Sequence, residues 1–124
     1  MKYHIAMLID DDDDSNFVNN WIIKQSFADQ VIIEQSATRA LTYLKTNAPY
    51  EEKLPDVIFL DLRMPLMDGF DFLNEFEKLP QAVIKKCKIF VLSSSFDKRD
   101  YDRAMGNKYV SQYLIKPINM DELV

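Results

Sequence analysis

A chain of 124 residues, 48% hydrophobic and 28% charged, is long enough for one domain with a sizeable core. Its 20 acids against 15 bases leave a net charge of −5, which gives no footprint for nucleic acid or an anionic membrane. One cysteine (Cys87), one histidine (His4) and two glycines (Gly69, Gly106) argue against an internal disulfide, a histidine metal site, a Ser-His-Asp triad and a glycine-rich phosphate loop.

The first apolar run, Ile5 to Ile9, reads as a strand, with His4 as a strand or surface residue. Charge follows too soon for a secretory leader, and no apolar run approaches membrane-spanning length, so a cytoplasmic protein is expected. Five aspartates come next, Asp10 to Asp14, and they account for the whole charge excess. Asp12 to Asp14 suit a solvated loop and a helix N-terminus, where the macrodipole favours acids. A helix follows, with Phe17, Trp21 and Ile22 as the stripe expected to face the core.

Val31 to Ile33 is the second strand, and Ala40, Leu41 and Leu44 mark the second helix. "NAPYEEKLP", residues 47–55, is the loop to a third strand, Val57 to Leu60. Asp68-Gly69 reads as turn chemistry before a third helix striped by Phe72, Leu73 and Phe76. The fourth strand is Ile89 to Leu92, and the weaker stripe Tyr101, Ala104, Met105 gives one more helix. Tyr113 to Ile115 is the last strand, and "PINMDELV" is one turn of a final helix, too short to hold alone. Such continuously apolar, branched runs suit strands buried on both faces. The order βαβαβαβαβ predicts one domain over 1–124, a doubly wound α/β fold on a five-stranded parallel sheet.

Ligands of such sheets collect outside the carboxyl ends of the strands. The first polar residues there are Asp10 and Asp11, then Asp61 in "VIFLDLRMPLMDGF", Ser93 in "IFVLSSSF" and Lys116 in "YLIKPIN". Three converging carboxylates repel unless a hard divalent cation neutralises them. Mg2+ is content with one or two carboxylates plus phosphate oxygens. Lys116 would supply a point charge for a phosphoryl oxygen, Ser93 a hydrogen bond, and a carboxylate a nucleophile. Taken singly, each residue has a plainer role: a helix cap, a turn serine, a strand exit.

These residues in this order resemble the receiver domain of two-component response regulators, across essentially the whole chain. The resemblance rests on the acidic pair after strand one, Asp61 in "FLDLRMPLMDG", Ser93 in "VLSSS" and Lys116-Pro117. It implies a CheY-like, flavodoxin-like fold, with Asp61 as phosphoacceptor. Asp11 would bind Mg2+ directly, Asp10 largely through water, and Arg63 through its backbone carbonyl. Ser93 and Lys116 would touch the phosphoryl oxygens, and Tyr113 falls at the family's aromatic switch position. Arg63 and Ser95 would tune the lifetime of the phosphoryl group.

The implied partners are a histidine kinase or phosphotransfer protein and a downstream protein target, with neither nucleic acid nor membrane bound directly. The family's final helix is expected to be truncated here. That would leave residues 120–124 poorly ordered or borrowed into a contact, and the face beside the first and fifth strands bare, for a homodimer or a crystal neighbour to cover. The alternative is a Mg2+-dependent phosphohydrolase with an aspartyl-phosphate intermediate. Such enzymes carry a second aspartate two residues after the nucleophile, where this chain has Arg63.

Overall fold

A computed structural model describes residues 3–123. Five strands form one all-parallel sheet in the order β2-β1-β3-β4-β5: β1 Tyr3–Ile9, β2 Ala28–Glu34, β3 Val57–Asp61, β4 Lys88–Ser93 and β5 Val110–Ile115. The helices are α1 Asp13–Ser26, α2 Ala37–Thr46, α3 Gly69–Phe76, α4 Gln81–Lys86 and α5 Lys98–Met105, with 3-10 turns at Glu51–Lys53 and Met120–Leu123. The doubly wound parallel fold read from the sequence is the fold observed. One α-helix was not anticipated, α4, whose six residues are too few to display a helical period, and the segment 47–55 read as a loop contains the turn Glu51–Lys53.

Local chemistry starts the helices. Asp12, Ser36, Asp68 and Asp97 each accept a bond from a free N–H in the first turn of α1, α2, α3 and α5. Asp68 and Asp71 form a reciprocal capping box. The sheet separates two apolar layers. Leu41, Leu44, Phe72, Phe76, Val83 and Ala104 of α2 to α5 cover one face. Ile23, Phe27, Ile118 and Leu123 cover the other, where Phe59 meets Phe27 and Phe90 edge-on at 5.7 and 5.6 Å. Cys87 caps the C-terminus of α4; burial first, then the Asp56 charge, pushes its thiol up to about 12.

Two expectations are corrected. Phe17 and Trp21 do not face the core; they are 76% and 62% exposed, with Ile22 half-buried. The buried face of α1 is Asn16, Asn19 and Ile23. Both asparagines have polar partners inside: Asn16 Nδ2 donates to Asp10 O at 2.8 Å, and Asn19 Oδ1 accepts from Ile118 N–H at 3.0 Å. Those bonds fix the rotation of the helix against its apolar stripe.

The second correction concerns the chain's last residues. Met120–Leu123 form a 3-10 turn that seats Leu123, 5% exposed, on the core of the α1 face; Val124 lies outside the described residues. Ala6, Leu8, Leu92 and Leu114 beneath are buried, so the apolar surface expected to lie bare beside β1 and β5 is covered. Among the described residues, no helix is long and apolar enough to cross a membrane.

Candidate functional site

The chain reverses its direction of travel across the sheet between β1 and β3, which opens a crevice at their carboxyl ends. Register then fixes the polar groups around it. Ile9 pairs with Leu60, Asp61 with Leu92, and Ser93 with Ile115. The residues that end these strands or directly follow them therefore share one rim. Carboxylate oxygens of Asp10, Asp11 and Asp61 all lie within 4.8 Å of one another. Asp10 and Asp61 are buried and Asp11 is exposed, which gives the cluster a dry floor and a wet side.

Lys116 binds the two buried acids together. Its Nζ lies 2.7 Å from Asp10 Oδ2 and 3.4 Å from Asp61 Oδ1. Asp10 also accepts from Ser15 Oγ at 2.7 Å and from Asp12 N–H at 3.0 Å. Burial pushes its carboxyl up, but these bonds and the lysine charge prevail and hold it below the usual carboxylate range. Asp61 has fewer partners, with the Arg63 N–H at 3.4 Å as its backbone donor. Burial and then the Asp10 charge push it up to about 6. Burial would lower the Lys116 ammonium, but its bond to Asp10 and the charges of Asp61 and Asp10 raise it instead. Two acids in one crevice are thus driven apart: one a firmly ionised anchor, the other a carboxylate held at an energetic cost.

The remaining candidates stand round this centre. Ser93 is buried, and its Oγ donates to Ser95 O at 2.6 Å, along the loop and not toward Asp61. Lys116 N–H donates to Ser93 O at 2.8 Å, so the ends of β4 and β5 are tied. Lys116-Pro117 is a cis peptide. Tyr113 packs edge-on to Tyr101 at 5.3 Å and Phe96 at 6.2 Å, and its buried hydroxyl has no hydrogen-bond partner among the described residues. The Arg63 guanidinium pairs with Asp100 in the first turn of α5.

Several contributors were not picked out in the sequence. Ser15, Asn16 and Asn19 support Asp10 and the cis-proline loop. Their signal was polar residues on the inner face of α1, and the neighbouring aromatics masked it. Gly69, assigned only to a turn, has a further role. A Cβ there would lie 2.7 Å from Asp61 O and 2.8 Å from Leu62 Cα, so α3 starts against the backbone of the site only because residue 69 is glycine.

Sheet order, crevice and acid cluster define a flavodoxin-like α/β protein with an acidic centre at its topological switch point. Residues 6–124 match the response regulator receiver domain family, and the chain belongs to it. A two-component response regulator from Cytophaga hutchinsonii has the same fold at a TM-score of 0.90 and 30% identity, covering 99% of this chain and 92% of that one. Response regulator Rcp1 of Synechocystis is 28% identical over 121 residues, 96% of this chain and 80% of its own length. Its Mn(2+)-bound form superposes at a TM-score of 0.74. The probable methanogenesis regulatory protein FilR2 of Methanothrix harundinacea is 33% identical over 84 residues, 68% of this chain; the match spans about half the length of that relative. Receiver domains are signalling switches of two-component systems and not enzymes in the ordinary sense. They generally bind Mg2+, and they interact with histidine kinases or phosphotransfer proteins and with downstream targets.

Proposed function

We propose that this chain is a single receiver domain that accepts a phosphoryl group on Asp61 and passes the signal on by a change in protein partner. The observation that carries this reading is the Asp61 carboxylate itself. It is buried, repelled by Asp10, and within 3.4 Å of the Lys116 ammonium. A carboxylate so poorly satisfied is the better nucleophile of the pair.

In the transfer, an Asp61 oxygen attacks the phosphorus of a phosphohistidine. The P–N bond breaks, and its electron pair stays on the imidazole, which then takes up a proton. Lys116 is placed to pair with a phosphoryl oxygen while keeping Asp10, and Ser93 Oγ can donate to another once it releases Ser95 O. The three acids suit a hard cation, with Asp11 on the wet side as direct ligand, Asp10 and Asp61 beneath, and the Arg63 carbonyl two residues past Asp61. Mg2+ bound there would neutralise the acids and the incoming phosphoryl charge. Tyr113, with its unmet buried hydroxyl, is the group expected to reorient as the β4–α5 loop follows Ser93. A cytoplasmic location fits such a partner.

Incubation with acetyl phosphate and Mg2+, followed by intact-mass and fragment spectrometry, tests the assignment. The added phosphoryl group should lie on Asp61 and vanish in Asp61→Asn. A phosphoryl group found on Asp12, Asp13 or Asp14 would overturn the site. A structure with beryllofluoride in which Tyr113 and Ser93 are unmoved would overturn the switch.

A further inference from the structure

Arg63 stands with its backbone against the acid site, since its N–H donates to Asp61 Oδ1. Its guanidinium, however, is held by Asp100, 37 residues on. The two ends of this pair differ: the Arg63 side chain is 64% exposed, whereas that of Asp100 is 16% exposed. The arginine is therefore the solvent-facing member and the aspartate the enclosed one.

Helix α5 has little else to hold it. Of its eight residues only Ala104 is buried. Its other ties are Arg103 over the Phe70 ring at 3.9 Å and the ring contacts of Tyr101. Tyr101 directly follows Asp100 and lies 5.3 Å from Tyr113. One exposed cation thus joins the rim of the acid site to a thinly anchored helix that carries half of an aromatic pair.

A phosphoryl group on Asp61 changes what that cation meets. It brings nearly two negative charges and three acceptor oxygens, which suit a planar guanidinium better than one carboxylate does. We infer that Asp100 is a competing acceptor for Arg63. Without an anion on Asp61, it holds the guanidinium and pins α5 to the β3–α3 loop. An anion on Asp61 draws the guanidinium off, and α5 then shifts with Tyr101, opening the side of Tyr113. Asp100 is in this sense a positioning residue, acting through Arg63. The inference rests on the reading of Asp61 as phosphoacceptor, and adds how the charge there reaches α5.

The test is a double-mutant cycle on the full chain, with beryllofluoride in Mg2+ as the probe and backbone amide NMR as the readout. Asp100→Asn should bind the probe about fivefold more tightly than the parent, as expected for loss of a competing ion pair. Asp100→Ala serves as the second variant, because asparagine keeps an acceptor oxygen. In an Arg63→Ala background either change should alter affinity less than about twofold. The amides of residues 98–105 in Asp100→Ala, without probe, should already lie part-way toward their positions in the loaded parent. An equal gain in both backgrounds would reduce Asp100 to a distant negative charge and overturn the inference, as would no gain in either. Failure of the parent to bind beryllofluoride, or to be phosphorylated on Asp61 by acetyl phosphate, would overturn the phosphoacceptor reading and the inference with it. Normal phosphorylation with a flat cycle would overturn the inference alone.

Discussion

Replacing Asp61 by asparagine should make the metal-free protein more stable, although it removes the proposed phosphoacceptor. The folded carboxyl sits at about 6 against an ordinary 3.8, first from burial and then from the Asp10 charge. Each pH unit between folded and unfolded values is worth about 1.4 kcal/mol, so ionised Asp61 costs the native state about 3 kcal/mol at pH 7.5. Asparagine keeps the shape and drops the charge. The attraction of Lys116 at 3.4 Å is already contained in the value of about 6, so the net gain stays at about 3 kcal/mol. For a chain of this length that is about 12 °C in Tm. The pH dependence carries the sign. Because the folded value is the higher one, the folded parent takes up its proton first as pH falls. It recovers stability between about pH 6 and 4, which the variant cannot do through this residue. The gap should therefore narrow toward zero near pH 4. Urea unfolding followed by far-UV circular dichroism in EDTA, at pH 7.5, 6 and 4.5, measures it. An asparagine variant less stable than the parent at pH 7.5, or a gap that ignores pH, would refute the account of Asp61 as a strained carboxylate.

Four further outcomes are expected. Lys116→Met strands Asp10, which is fully buried, and should cost about 3 kcal/mol in the same unfolding assay, less with Mg2+ present. Gly69→Ala presses a methyl group on the Asp61 carbonyl. It should cost about 2 kcal/mol and slow phosphorylation by acetyl phosphate, both measured against the parent. Tyr113→Phe removes a buried hydroxyl without a partner and should raise Tm by a few degrees, about 1 kcal/mol, in a calorimetric scan. Mg2+ should raise the Tm of the parent, and Asp11→Asn should abolish most of that rise; a rise of equal size in the variant would remove Asp11 from the ligand set.

Much of the site was legible because a parallel strand announces its own end. Ile5 to Ile9, Val57 to Leu60 and Ile89 to Leu92 are apolar without a break, so the next polar residue in each case marks the rim. Asp10, Asp61 and Ser93 all fall there. The rotation of α1 was not legible. Hydrophobicity ranks Phe17 and Trp21 above Asn16 and Asn19, yet the asparagines are inside because the site and the loop after β5 need their hydrogen bonds. Helix α4 was missed for want of length. The cover that Met120–Leu123 gives the sheet depends on where Leu123 lands, which only the finished sheet determines. The direction of the Ser93 hydroxyl and the reach of Arg63 to Asp100 are contacts between segments, and no local pattern encodes them.

Cys87 offers a clock at the end of the sheet far from the acids. At pH 8 a thiol held at about 12 is ionised in only about one molecule in ten thousand, so maleimide or iodoacetamide should scarcely react with it in the closed fold. Alkylation then proceeds through openings that expose the corner between α4 and β4, and its rate counts them. No other cysteine in the chain blurs the signal. Comparing that rate with and without Mg2+ would report, by mass alone, whether filling one rim of the sheet tightens the opposite one.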